Sequence, residues 1–219
     1  MKVLVAGATG ETGKRIVQTL SDRQIAVKAL VRDADKAKRM LPTGVEVVVG
    51  DVLDPETLRS ALQDCTAIVC ATGASPSLDP TGPYKVDYEG TKNLIDVAKS
   101  QGIERFVIVS SLCVSKFLHP LNLFWLVLYW KKQAEEYLQK SGLIYTIVRP
   151  GGLRNEDDSR PLVMQSADTL YEGNIPRQKV AEVCVEALFQ PEADNKIVEI
   201  VAEESAEPRS LDRLFASVA

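Results

Sequence analysis

Lys2-Val3-Leu4-Val5-Ala6-Gly7-Ala8-Thr9-Gly10-Glu11-Thr12-Gly13-Lys14-Arg15-Ile16-Val17 opens the chain and joins three signals. Val3, Leu4, Val5 and Ala6 form a short apolar run of the buried-strand type. Gly7, Gly10 and Gly13 follow at G-x-x-G-x-x-G spacing. Ile16, Val17 and Leu20 then fall on one helical face. A glycine turn between strand and helix lets backbone N–H groups approach a pyrophosphate, and the helix N-terminus adds its positive end. Gly7, Thr9, Gly10, Glu11, Thr12 and Gly13 are therefore candidate cofactor-binding positions. A glycine triplet alone is weak, but its place between a strand and a helix makes it a dinucleotide signal. The alternative is a tight turn that binds nothing.

Outward from that turn, apolar strand-like runs alternate with helical patterns. Strands are expected near 2–6, 25–31, 45–49, 66–71, 104–110, 143–148 and 196–201. Helices are expected near 11–21, 34–40, 55–63, 84–100, 121–141, 176–190 and 210–218. Strands apolar on both faces and separated by helices imply a parallel sheet covered on both sides. The reading is an α/β fold: one Rossmann-like, doubly wound domain over residues 1–219. Asp33 can cap the second helix, and Asp54-Pro55 sets a capping carboxylate before a proline at the first helical position. The segment 151–175, rich in Gly, Asp, Asn and Arg, is expected as a loop region on the substrate side, over the C-terminal edge of the sheet.

With 219 residues, 45% of them apolar and 26% charged, the composition is that of an ordinary soluble globular protein. A net charge of −4 and the lack of a basic tract argue against nucleic acid as partner. No signal peptide is expected before a strand that starts at residue 2, and no transmembrane segment is expected. Cys65, Cys70, Cys113 and Cys184 show no C-x-x-C spacing, which fits a cytoplasmic protein with reduced thiols. With the lone His119 they build no zinc site. The run Phe117 to Trp130 is too short and interrupted to span a bilayer, which takes about 20 apolar residues. It reads as a buried helix that also lines the substrate pocket. A dimer interface, a protein partner or a contact with a membrane surface through 117–130 stays open, and exposure of its aromatics as one patch would favour such a contact.

The end of the second strand selects the dinucleotide. A carboxylate about 20 residues after the glycines holds the ribose of NAD, whereas an arginine accommodates the extra phosphate of NADP. In Leu30-Val31-Arg32-Asp33-Ala34-Asp35-Lys36 both types occur. Arg32 comes first after the strand and Lys36 lies one helical turn later, while Asp33 is explained as a cap. The reading is NADP, held by Arg32 and Lys36; a solvated surface role for Arg32 is the alternative. Asp51 and Val52, after the third strand, can meet the adenine amino group and ring, and Asp51 can equally satisfy loop amides. Ala71, Thr72 and Gly73, after the fourth, are small enough for the backbone to pass close to the cofactor.

Together these blocks resemble the short-chain dehydrogenase/reductase superfamily in its atypical, NAD(P)-binding branch. The carriers are the glycine turn, Val31-Arg32-Asp33, Gly50-Asp51-Val52, Tyr88-Glu89-Gly90-Thr91-Lys92-Asn93-Leu94, Val109-Ser110-Ser111 and Tyr145-Thr146-Ile147-Val148-Arg149-Pro150-Gly151. Two subgroups are similar: the flavin reductase/biliverdin-IXβ reductase type, and plastid NADP-binding proteins that include a redox-sensing part of the chloroplast import apparatus. Most of the superfamily uses a Ser, a Tyr and a Lys, the last two as Y-x-x-x-K. Tyr88 and Lys92 have that spacing but precede the fifth strand, so they are a decoy. By the resemblance the family lysine is Lys131, with Glu135 following at i+4. Val127 rather than a tyrosine stands four residues before it, and Tyr129 lies on a different helix face. Ser111 matches the active-site serine of the flavin reductase subgroup. Ser110, one residue earlier and so on the other face of the strand, is also assigned to the cofactor side. Pro150, Gly151 and Gly152 match the loop near the nicotinamide.

The resemblance thus implies an NADPH-dependent reductase of a conjugated acceptor, with Ser111 and Lys131 as the catalytic candidates. The acceptor could be a flavin (FMN or FAD), a biliverdin-like tetrapyrrole or a quinone. Gly152 replaces a bulkier residue of that subgroup, which leaves the ring open. The rival reading is a non-catalytic NADP-binding module that senses redox state or assists assembly through a protein partner.

Overall fold

Alternating side chains in the first strand feed two separate cores. In β1 (Lys2–Ala6) Val3 and Val5 face one layer of helices while Leu4 and Ala6 face the other. The computed structural model describes residues 1–74 and 78–219. In it β1 is flanked by β2 (Ala26–Val31) and β4 (Ala67–Cys70), both parallel to it. Outward lie β3 (Glu46–Val49) beside β2, then β5 (Arg105–Val109) beside β4 and β6 (Ile144–Pro150) beside β5, all parallel. Beyond β6 come β10 (Lys196–Ala202), parallel, and β8 (Leu162–Ser166), antiparallel. The sheet order is β3-β2-β1-β4-β5-β6-β10-β8.

Helices cover both faces. α1 (Glu11–Asp22) and α6 (Arg177–Glu186) pack together over the Val3/Val5 face, with α7 (Leu211–Ser217) nearby. α3 (Pro55–Leu62), α4 (Gly90–Ser100) and α5 (Val127–Gln139) cover the Leu4/Ala6 face. The short α2 (Ala34–Met40) joins β2 to β3. Asp33 caps α2 by accepting from Lys36 N at 2.9 Å, and Asp54 caps α3 by accepting from Glu56 N at 3.1 Å.

Three expectations change. The region 151–175 is not only loop: it holds β7 (Gly152–Arg154), β8 and β9 (Asn174–Pro176), with β7 and β9 paired as a small second sheet. These strands are short and carry polar residues, so they lack the apolar run that marks the others. The sheet is therefore mostly, not wholly, parallel. The expected helix 121–141 begins only at Val127, because Trp125 and Leu126 take φ of 56° and 58° and break the run. A 3-10 turn at Pro120–Leu123 precedes the break. The expected helix 84–100 starts with a π-helical segment, Tyr84–Glu89, before α4.

The deepest polar feature ties α5 to the sheet. Arg149 on β6 is fully buried and grips Glu135 of α5 through two bonds, Nε at 3.0 Å and Nη2 at 2.7 Å. Its Nη1 donates to Asp168 at 2.9 Å and to Glu199 at 3.2 Å. Glu199, its register partner on β10, also accepts from the backbone N–H groups of Asp168, Thr169 and Leu170. Burial alone would lower the Arg149 pKa, but Glu135, Asp168 and Glu199 more than offset it and hold the guanidinium charged. Replacing Arg149 by Met would strand two buried carboxylates, so Arg149→Met is expected to cost about 3–5 kcal/mol in urea unfolding. A loss below about 1 kcal/mol, the value of an exposed pair, would contradict this role.

Candidate functional site

The turn after β1 has no room for a side chain at Gly7 or Gly13. A Cβ on Gly13 would stand 2.0 Å from the carbonyl oxygen of Gly7. One on Gly7, whose φ is +79°, would meet the carbonyl oxygen of Ala71 at 2.6 Å. Gly10 N donates to Gly7 O at 2.9 Å and closes the turn. Gly10 is also the N-cap of α1, and no side chain caps this end. The first-turn N–H groups of Glu11, Thr12 and Gly13 are thus left for an anionic ligand, at the positive end of a helix dipole. The Glu11 carboxylate turns to Lys14 at 2.9 Å and Arg15 at 3.1 Å. Those two bonds hold it below the usual carboxylate range. Arg15 also donates to the carbonyl of Asn155 at 3.1 Å, which brings the chain just past β7 to the same place.

Apart from Lys131, which lies in the first turns of α5, the other sequence-derived candidates lie at or just after the C-terminal end of a parallel strand, along one edge of the sheet beside the point where strand order reverses. Arg32 and Lys36, next to β2, are exposed and have no ion-pair partner among the described residues. Asp51 accepts from Leu53 N at 2.9 Å and so satisfies a loop amide. Val52 packs against Gly90, where an added Cβ would meet its Cγ2 at 2.5 Å. The hydroxyl of Thr72 sits 3.2 Å from Cys70 Sγ, and Gly73 is exposed. Pro150 is buried, Gly151 N is bonded to Ile200 O at 2.9 Å, and Gly152 lies exposed at the start of β7.

Sequence reasoning missed Asp87. The π-helical segment turns this carboxylate inward, buried with Thr91 one turn on. Its Oδ1 lies 2.7 Å from Lys131 Nζ, and its Oδ2 accepts from Ala74 N at 3.2 Å. Asp87, Lys131, Thr72 and Ser110 line a recess of about 10 Å³, room for one water. A Cβ on Gly73 would sit 3.7 Å from Asp87 Oδ1 and 3.9 Å from Lys131 Nζ, so the pair borders the open glycine strip. Burial alone would lower the Lys131 pKa; the charge and hydrogen bond of Asp87 reverse this and raise it above the ordinary 10.5. Lys131 is therefore an ammonium at neutral pH.

The two serines part as their alternation requires. Ser110 is buried and donates to Glu135 Oε1 at 2.5 Å. Its hydroxyl is bonded into the Arg149 cluster, while the residue also lines the recess beside Asp87 and Lys131. Ser111 is half-buried at the mouth of the same sheet edge. The decoy pair is engaged elsewhere: Lys92 bonds Asp96 at 3.1 Å and the Tyr88 ring packs on Trp130. The run 117–126 is also a correction. Phe117, Leu118, Leu121, Leu123, Phe124 and Leu126 are exposed rather than buried.

Comparison with known proteins fits this geometry. A family model described as NAD(P)H-binding matches residues 7–191. An uncharacterized chloroplastic protein of Arabidopsis thaliana is 51% identical over 99% of this chain and 82% of its own. Protein TIC 62 of the same plant is 37% identical over 99% of this chain, which spans 38% of TIC 62. Sanguinarine reductase of Eschscholzia californica is 34% identical over 91% of this chain and 88% of its own. Among solved structures, a putative NAD-dependent epimerase/dehydratase of Bacillus halodurans aligns with a TM-score of 0.88 and 27% identity, covering 99% of each chain. An anaerobilin reductase of Escherichia coli aligns at 0.80 and 26%, over 95% of this chain and all of that one.

The raised pKa of Lys131 sets the sign of a pH effect. Stability from the Lys131–Asp87 pair is complete below the ordinary 10.5 and is lost as pH rises beyond it. In Asp87→Asn burial is opposed only by the weaker influences of Cys70 and Glu135, and the lysine pKa drops. NAD(P)H affinity of the unaltered protein should stay flat over about pH 6 to 9, whereas Asp87→Asn should weaken progressively toward the alkaline end. Parallel profiles by fluorescence titration would contradict this role for Asp87.

Proposed function

The chain belongs to the NAD(P)H-binding family as an atypical short-chain dehydrogenase/reductase, and from that premise we propose an NADPH-dependent reductase of a conjugated acceptor. Such an acceptor is a flavin, a linear tetrapyrrole or a quinone. The observation that carries the reading is the setting of Lys131: a charged ammonium locked to Asp87, with Val127 where a catalytic phenol would stand.

NADPH, when bound, supplies the hydride. The glycine turn and the uncapped N-terminus of α1 would hold its pyrophosphate, and Arg32 with Lys36 its extra phosphate. Lys131 would bind the ribose hydroxyls and oppose negative charge that develops beside it. Ser111 would orient the acceptor. The phenols nearest in sequence are engaged elsewhere: the Tyr129 ring packs on Trp130 at 4.9 Å and on Phe117 at 6.1 Å. A placed proton donor is worth about a hundred- to ten-thousand-fold. A site without one favours acceptors that spread charge over a conjugated system and take their proton from water. Two similar proteins that are reductases by name, of sanguinarine and of anaerobilin, support this class.

A second reading, a redox-sensing module that acts through a protein partner, is favoured by the likeness to TIC 62 and by the exposed apolar run. Stopped-flow loss of NADPH absorbance separates the two. Reduction of FMN, FAD, biliverdin or a quinone is expected, and NADPH binding without turnover of any acceptor would favour the module. Arg32→Ala should weaken NADPH binding by roughly tenfold or more and leave NADH nearly unchanged. Equal loss for both nucleotides would contradict the phosphate role of Arg32.

A further inference from the structure

The turn that leaves the buried Arg149 cluster ends on an aromatic ring that no core uses. Glu199 accepts from the N–H groups of Asp168, Thr169 and Leu170 and so fixes residues 168–170. Tyr171 follows at once and is 51% exposed. An exposed ring by itself needs no explanation. This one is held at three points. Its hydroxyl donates to the carbonyl of Asp168 at 2.5 Å, and its own carbonyl accepts from Cys113 Sγ at 3.3 Å. The Lys116 ammonium stands over the ring, 3.5 Å from its centroid. One face is braced, and the opposite face is left for a ligand.

The same contacts locate the ring. Cys113 lies two residues beyond Ser111. Two residues past Tyr171, the carbonyl of Gly173 accepts from Gly152 N at 2.9 Å, and a Cβ on Gly151 would meet that oxygen at 2.7 Å. Just before Tyr171, Leu170 packs on the cluster of Leu112, Cys113 and Leu128. Val127, which stands where a catalytic phenol is missing, packs on that cluster too. Tyr171 is thereby tied to the chain beside Ser111, to the glycines at the start of β7 and to the Val127 end of α5. These are the surroundings in which an acceptor would lie. The phenol does not replace the missing proton donor, because its O–H is already committed to the Asp168 carbonyl. What it offers is a fixed aromatic surface.

We propose that Tyr171 is the acceptor-binding residue, and that the free face of its ring stacks on a flat, fused-ring acceptor of the flavin type. A ring held in place before the ligand arrives gives up little freedom on binding. A flat face gains most from a flat partner in offset stacking. The proposal rests on the reductase reading, and a binding measurement keeps the two apart. FMN is titrated by quenching of its fluorescence, with the protein saturated by NADP so that no hydride moves. Saturable quenching is expected. Tyr171→Ala should weaken FMN binding about tenfold or more with NADPH affinity unchanged, and in turnover it should raise the KM for FMN more than it lowers kcat. Tyr171→Phe keeps the ring and loses only the bond to Asp168, so it should stay within about threefold of the parent. Binding that depends on Tyr171 in this way, without oxidation of NADPH, would sink the reductase reading and leave this role standing. FMN reduction with an unchanged KM in Tyr171→Ala would overturn this role and leave the reductase. An absence of saturable quenching with the parent, or equal losses in the alanine and phenylalanine variants, would also overturn it.

Discussion

The close passage of residue 13 over the carbonyl of Gly7 governs what this protein can bind. A methyl group there would lie 2.0 Å from an oxygen atom, so the first turn of α1 reaches β1 only with glycine at that place. Gly7 meets a similar limit against Ala71, which draws the end of β4 under the turn. The two contacts press the N-terminus of α1 onto the point where strand order reverses. An uncapped helix end then faces the groove in which doubly wound sheets bind their ligands. Strand ends β2 to β6 deliver their residues to the same edge.

A second constraint acts from below. Arg149, Glu135 and Glu199 form a buried ionic knot that joins β6, β10, α5 and the turn at 168–170. Buried pairs of this kind are weak evidence for stability, yet costly to break. Here the knot fixes the roll of α5 about its axis. Glu135 points to the sheet, so Lys131, one turn earlier on the same face, points to Asp87 and the glycine strip. The placement of Lys131 rests on a charge cluster one helical turn along the same face of α5.

Much of this was legible in the residues. Strands apolar on both faces and the turn Gly7–Gly13 give the Rossmann-like layering, and Asp33 and Asp54 announce two helix starts. What escaped did so for physical reasons. β7, β8 and β9 are short, and an antiparallel edge strand such as Leu162–Ser166 carries no long apolar run. Trp125 and Leu126 adopt left-handed backbone without being Gly or Asn, so nothing in residue type reveals the break before α5. The run 117–130 looked like core because apolar residues usually are. Asp87 was hidden behind the Tyr88/Lys92 spacing. Its signal was a carboxylate spaced i,i+4 with Thr91 on a face that proved buried. Arg149 and Glu199 were more readable, since each interrupts a strand that is otherwise apolar, and two such interruptions of opposite charge ask to be paired.

The account rests on the proposal that backbone amides of the glycine turn cradle a dinucleotide and that Arg32 selects its type. Calorimetric titration of the parent protein and of Gly13→Ala with NADPH and with NADH addresses it most directly. The parent should bind NADPH saturably at one site and more tightly than NADH, and the alanine variant should bind neither measurably. An absence of saturable heat with both nucleotides for the parent, or full affinity in Gly13→Ala, would contradict the account.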